Sequence, residues 1–307
     1  MKTVTYVVEQ IDEVTIAAGS PLDGLALMSP YVWKDGDTYR MMVRGLADPL
    51  GPDDPTGVIG SAYSHDGLVF ESDPKLSITP DGALCGEDAG GCEDPTVVVT
   101  EKGRYLIYYT GVDVGRTQGG LIVASGPGLT RLTKQRVVLK APPGEGNIKE
   151  ATVAQAARGD WRLFYEYAAH DASRIGMASG PTADGPWTVE PDPFTVRADS
   201  WDDWHLSTGP IIGIDGADPV MFYNGATGDA RWRIGWISFD PDFQRMTGRG
   251  LEPVILPPPA KSRTATDIAF AASTVSEGAA SEGAQIALYY SLEDRVLRRA
   301  LVRRFTG

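Results

Sequence analysis

Apolar and polar positions alternate along most of this chain. Short runs of two-residue period, rich in Val, Ile, Tyr, Phe and Trp, are broken by Gly, Pro, Asp and Asn, and patterns of helical period are scarce. The runs also repeat. A polar turn followed by an alternating aromatic strand occurs as DGDTYRMMVRG (35–45), KGRYLIYYTG (102–111), RGDWRLFYEY (158–167), GADPVMFYNG (216–225) and GAQIALYYSL (283–292). Counted from Tyr39, Tyr105, Trp161, Pro219 and Ile286, the copies are 66, 56, 58 and 67 residues apart. Each is preceded by a short strand-like run: SPYVW, EDPTVVV, EATVAQ, TGPIIGI or DIAFAAS. Each is followed by another: VIGSAYSHDG, GGLIVASGPG, RIGMASGPTADG, RIGWISFDPD or VLRRALVRR.

Five copies of one unit of three or four strands predict an all-β fold, a five-bladed β-propeller occupying residues 1–307 as a single catalytic domain. A pair of β-sandwiches is the competing architecture, but it gives no reason for the fixed order of runs. The Pro-rich stretch LEPVILPPPAK (251–261) reads as a connection between blades, because the repeat resumes after it.

Composition narrows the function. With 42% apolar residues the chain can build a sizeable core, while a net charge of −13 and a pI near 4.7 leave no basic stripe for nucleic acid or an anionic membrane. The N-terminal MKTVTYVVEQIDEV lacks the long apolar core of a signal peptide, and no apolar run is long enough to span a bilayer, so a cytoplasmic location and no membrane partner are expected. Cys85 and Cys92 have no His or Cys partners at metal-ligand spacing, and two free thiols are expected. With three histidines in the chain, neither a metal nor another cofactor is anticipated. There is no GxGxxG at a helix start, no P-loop and no nucleophile elbow.

In a propeller, the starts of the innermost strands face one shared pocket. Blade one brings Ser29 there, with Arg44 at the end of its second strand. Blade two brings Glu93 and Asp94 in GGCEDPTVVV, and blade three Asn147, Lys149 and Glu150, then Glu166. Blade four brings WDDWHLSTGP, with Trp204 and His205, then Asn224; blade five brings Asp267 and Asp294. Charges inside strands as apolar as MMVRG and LFYEY are expensive unless paired or functional, which makes Arg44 and Glu166 the sharpest pointers. The bland readings are an Arg44 paired to an acid across the channel and a Glu166 facing water on an edge strand. Several carboxylates with aromatic faces (Trp201, Trp204, Tyr109, Tyr290) and amides suit an oligosaccharide, and two opposed carboxyl groups suit glycoside cleavage.

GCEDPTVVVTEKGRYLIYYTG resembles the G-x-EDPR…DG-Y-x-x-x-Y-T block of glycoside hydrolase family 130, five-bladed propellers acting on β-mannosides. SPYVWKDGDTYRMMVRG, SAYSHDGLVF, NIKEA, W…STGPIIGIDGADPVMFYNG, LEPVILPP and YYSLEDRVL resemble further blocks of that family in the same order, from roughly residue 25 to 302. The related families 43 and 32 place an aspartate base at the start of the first blade, where this chain has LMSPYV. The resemblance implies Asp94 as catalytic acid, Arg44, Ser64 and Asp66 near the sugar subsites, and Asp294 holding the sugar at the cleavage point. Family members associate, so it also allows a homo-oligomer, although no stretch here marks an interface.

Departures from the family pattern bear on the reaction. Its phosphorylases hold phosphate with a Lys in NKDA, an Arg in the blade-three strand and a His in YHG; here Lys149 stands in for the first, shifted by an inserted residue, and the other two positions are Glu166 and Asn224. A carboxylate in a poorly solvated pocket repels phosphate and is suited to deprotonating water. The expectation is therefore an inverting β-mannosidase, with Asp94 as acid and Glu166 or Glu150 as base. A mannoside phosphorylase with rearranged ligands (Lys149, His205, Arg231) and a silent sugar-binding propeller are the alternatives.

Overall fold

The computed structural model describes residues 4–84, 86–141, 146–213, 217–259, 268–277 and 285–307; Cys85 and Asp267 lie outside them. The alternating runs form strands, beginning with β1 (Val4–Ile16). Blade one is β2 (Leu25–Asp35), β3 (Thr38–Ala47), β4 (Val58–Ser64) and β5 (Val69–Ser72). Blade two is β6 (Gly91–Val99), β7 (Tyr105–Val112), β8 (Gly119–Gly126) and β9 (Thr133–Lys140). Blade three is β10 (Ile148–Gln155), β11 (Trp161–Ala169), β12 (Ala172–Gly180) and β13 (Thr188–Glu190).

Blade four follows the same path with its inner strands interrupted: β14 (His205–Ser207) and β15 (Ile211–Ile212), β16 (Val220–Met221) and β17 (Asn224–Ala226), β18 (Trp232–Ile234) and β19 (Ile237–Phe239), then β20 (Met246–Arg249). Pro210 has no N–H for the ladder, and the gaps are bridged by single bonds, Phe222 N–H to Pro210 O and Gly235 N–H to Tyr223 O, each 2.9 Å. Blade five is β21 (Ala269–Glu277), β22 (Gln285–Leu292) and β23 (Val296–Thr306), completed by β1, which pairs antiparallel with β23 from Val4↔Thr306 to Val14↔Leu297. The N-terminal strand thus closes the last blade, and its end also meets β5 in parallel at Thr15↔Val69.

This is the all-β propeller architecture expected from the repeat, and no helix occurs among the described residues. Its core is divided by the blades. Five buried clusters each join neighbouring blades, and together they run around the ring. The two-residue period of a strand explains this, since successive side chains leave opposite faces. On β3, Met41 and Val43 pack toward blade five and Met42 toward blade two. On β7, Ile107 and Tyr109 face blade one and Leu106 and Tyr108 face blade three. Both faces of each second strand are buried, so these strands are the most apolar stretches of the sequence. The connection after blade four is tied down where Ile255 bridges Ile234. Cys92 is buried and free, and burial pushes its thiol up.

Candidate active site

Alternation also decides what the end of each second strand does. The fifth residue after the repeat markers is Arg44, Thr110, Glu166, Asn224 or Ser291, and each side chain continues the row that faces the next blade. There it meets an irregularity. The innermost strands shift register between Met28 and Tyr31, Glu93 and Thr96, and Lys149 and Ala151, and a further shift lies between Ala271 and Ser273. Such bulges re-aim side chains and recur beside functional sites. Ser29, Asp94 and Glu150 occupy three of them with φ of 51°, 49° and 47°, and Asp294 in the β22–β23 turn has φ 52°. Left-handed backbone is strained for these residues; the side chains of Ser29, Asp94 and Glu150 meet, and Asp294 lies near enough to feel the charges of Arg44 and Asp94.

Asp94 is the hub. Its Oδ1 accepts from Ser29 Oγ at 2.6 Å and from Arg44 Nη1 at 3.2 Å, and it is hydrogen-bonded to Glu150. Arg44 is anchored on the Thr56 carbonyl through Nη2 (2.8 Å) and Nε (3.2 Å) and pairs with Glu93 at 2.8 Å. The paired reading of Arg44 is thus realised, and the pair is with the two acids that begin blade two. Lys149 pairs in register with Glu166 across β10 and β11, next to Glu150. Glu166 accepts from Ser173 Oγ at 2.8 Å, and Ser207 of blade four lies beside it. It is not on an edge strand, because Ile175 of β12 pairs with it on the other side.

Five carboxyl groups (Glu93, Asp94, Glu150, Glu166, Asp294) therefore share two inner cations, Arg44 and Lys149, among the described residues. Burial works against charge at Asp94, Glu150, Glu166, Asp294 and Lys149, and neighbours decide the outcome. Asp94 is buried, yet Arg44 and the Ser29 hydroxyl hold it below the usual carboxylate range. Glu150 goes the other way: burial, then the charges of Asp94 and Glu166, push it well above the ordinary glutamate value. Burial also raises Glu166, opposed by Ser207, Lys149 and Ser173, and raises Asp294, opposed by Arg44. Lys149 keeps its proton despite burial because Glu93, Glu166 and Asp94 surround it. Asp94 and Glu150 thus shift in opposite directions, and a proton shared between them is favoured on Glu150.

His205 and Trp204 sit at the rim. His205 Nδ1 accepts the Ser173 N–H at 3.1 Å, which links it to Glu166 through one residue, and burial with Arg174 nearby keeps the imidazole neutral. Trp204 is 45% exposed and its indole donates to the Asp171 carbonyl. Asn147 serves the backbone, accepting the Gly119 N–H at 2.6 Å.

Several expected residues are elsewhere. Ser64 and Asp66 form the β4–β5 turn: Asp66 accepts the N–H groups of Leu68 and Val69, and Ser64 those of Asp66 and Gly67. Ser64 pairs with Tyr39, five residues along β3 from Arg44, which places it about 17 Å away at the opposite end of the blade. Asn224 is fully buried and spent: it accepts the Ala271 N–H at 2.7 Å and donates to the Thr208 and Ala271 carbonyls, with nothing left for a sugar. Tyr109 bonds Asp88 between blades one and two, Tyr290 lies in the core between blades four and five, and Trp201 stacks on Tyr223. Arg231 donates to the Pro257 and Pro258 carbonyls. Conversely, Ser173, Thr110 and Ser291 join the site without a charge to mark them in the sequence, although the repeat offset that marks Arg44 and Glu166 also marks Thr110 and Ser291.

No family model matches the chain, and no curated protein matches it in sequence. Solved structures match its fold closely. A β-1,2-mannobiose phosphorylase from Listeria innocua, solved with β-1,2-mannobiose, superposes with a TM-score of 0.74 at 15% identity over 92% of each chain. A structure from the GH130 family of mannoside phosphorylases, described with hydrolases that target β-1,2-mannosidic linkages in Candida mannan, gives 0.75 at 19% identity over 96% of this chain and 94% of the other. A glycosyl hydrolase from Bacteroides ovatus gives 0.71 at 21% identity over 90% and 84%. At these identities the likeness is one of fold.

Proposed function

We propose that this chain is a carbohydrate-active enzyme of the family 130 kind, an inverting hydrolase of β-mannosides. The fold shared with mannoside-active proteins supports the substrate class. The observation that carries the reaction type is Glu166: a half-buried carboxyl beside Lys149, in a cluster where five acids share two inner cations. A phosphate group brought into such a cluster meets repulsion and finds few free donors, whereas a water molecule finds a base.

The roles follow from the ionisation order. Glu166 needs to be charged to act as base, and Lys149, Ser173 and Ser207 favour its charge. Glu150 is raised more strongly than Glu166, by the charges of Asp94 and Glu166 on top of burial, which favours Glu166 as the base. The Asp94–Glu150 pair serves as proton donor: Arg44 favours the charge on Asp94, and burial with that charge favours the proton on Glu150. In the reaction Glu166 removes a proton from water, the water oxygen bonds the anomeric carbon from the face opposite the leaving group, and the glycosidic C–O bond breaks. The leaving oxygen takes the pair's proton, and the configuration inverts. Acid and base should then stand roughly 6.5–9.5 Å apart with sugar bound.

The test is to incubate the protein with β-1,2- and β-1,4-mannobiose with and without phosphate. Mannose released equally in both supports the proposal. Mannose 1-phosphate formed only with phosphate would replace it with a phosphorylase, and binding without turnover would replace it with a sugar-binding propeller.

A further inference from the structure

We propose that Thr110 and Ser291, which face the neighbouring blades rather than the pocket, are positioning residues for the Asp94–Glu150 proton pair. The inference rests on the reading of that pair as proton donor. It comes from the five equivalent positions at the ends of the second strands. In three blades this residue accepts the backbone N–H of the next blade's bulge. Thr110 Oγ1 accepts from Glu150 N at 3.2 Å, Ser291 Oγ from Ser29 N at 2.7 Å, and Asn224 Oδ1 from Ala271 N at 2.7 Å. Blades one and three carry Arg44 and Glu166 there instead, and these charges point at side chains of the next blade: Asp94 and Ser207.

The default use of the position is therefore a staple. Two of the three staples end on residues of the pocket. Glu150 and Ser29 both have left-handed backbone, which needs outside support in a residue with a side chain. Thr110 supports Glu150, whose carboxyl then meets Asp94. Ser291 supports Ser29, whose hydroxyl then donates to Asp94 at 2.6 Å. The third staple, Asn224, ends on Ala271, which has no group to titrate. It is a built-in control, with the same bond at the same place in the repeat and no carboxyl attached.

The experiment is a carbon-13 carboxyl titration of the full chain labelled at Asp and Glu, with Glu150 assigned through Glu150→Gln and Asp94 through Asp94→Asn. Thr110→Val keeps the shape and removes the acceptor, so the Glu150 midpoint should fall by about one pH unit or more as the carboxyl leaves Asp94. Thr110→Ser should restore it. Ser291→Ala should raise the Asp94 midpoint, because its hydrogen bond from Ser29 loosens. Asn224→Val should move neither. On β-mannobiose, Thr110→Val should lower kcat roughly ten- to a hundredfold with KM within about twofold. A Thr110→Val titration like that of the wild type, or an equal shift in Asn224→Val, overturns the proposal. If Thr110→Val does not fold, Ser291→Ala decides it, and an unmoved Asp94 midpoint is the contrary result. The titration needs no substrate. If it moves as stated but the wild type cleaves no mannoside, the functional reading fails and the positioning stands.

Discussion

Two acid clusters in the interior of this molecule look alike and are opposite in kind. In blade four Asp202 is completely buried, and two arginines and a tyrosine meet it: Arg197 at 3.0 Å, Arg249 at 2.5 Å and Tyr223 Oη at 2.5 Å. Burial alone would raise this carboxyl, yet Tyr223, Arg197 and Arg249 hold it below its ordinary value. The ring of Tyr223 is stacked on Trp201, and Arg249 lies over the Phe194 and Tyr223 rings. In the central pocket, by contrast, acids outnumber cations and three of them are raised. A fold that needs a buried acid only for structure surrounds it with matching charge. The pocket leaves its acids under-matched, a state that costs stability and provides a proton donor and a base.

The largest effect that would break this comparison is on stability. Asp202→Ala strands two arginines and a tyrosine and should cost about 3–5 kcal/mol in chemical denaturation, with activity per folded molecule retained. A loss under about 1 kcal/mol would mean that the two clusters are not opposites. Glu150→Gln should do the reverse, raising the melting temperature at neutral pH while activity collapses by roughly a hundredfold or more. An unchanged or lowered melting temperature would show that the pocket stores no such cost.

The pH dependence separates the clusters by sign. Asp202 is depressed in the folded state, so its contribution is present above its unfolded value near 4 and is lost as pH falls through its folded value. Glu150 and Glu166 are raised, so the folded state holds more protons, and stability declines as pH rises from the unfolded value near 4.3 toward their folded values. Denaturation midpoints of the Glu150→Gln protein should show a weaker decline over that window than those of the wild type. In activity, the acid limb reports Glu166 and should lie above the usual glutamate range, and the alkaline limb reports the Asp94–Glu150 pair. The smallest effect is expected at Asp66→Ala, about 1 kcal/mol from the lost turn bonds and no change in kcat/KM. A tenfold loss of kcat/KM there would return Asp66 to the pocket.

Much of this was readable in the chain. The repeat gives the blades, and its 66, 56, 58 and 67-residue steps apply unchanged to Arg44, Thr110, Glu166, Asn224 and Ser291. Arg44 and Glu166 stood out because a charge in an otherwise apolar strand is costly. Ser64 and Asp66 misled because a likeness of motif says nothing about which end of a blade a turn occupies. Strand direction does, since β4 runs antiparallel to β3 and ends far from Arg44. Asn224 misled because an amide can bind sugar or backbone with the same atoms, and only the neighbouring blade decides between them. The Asp94–Glu150 pairing was out of reach, because it depends on two left-handed bulges on different blades meeting in space.

The central claim is that Glu166 activates the attacking water, and chemical rescue tests it most directly. Glu166→Ala should lose roughly 10²–10⁴-fold in kcat on an activated β-mannoside, and added azide should restore turnover by forming the α-mannosyl azide. Activity within about tenfold of wild type, or a loss that azide does not recover while the fold is intact, would contradict it.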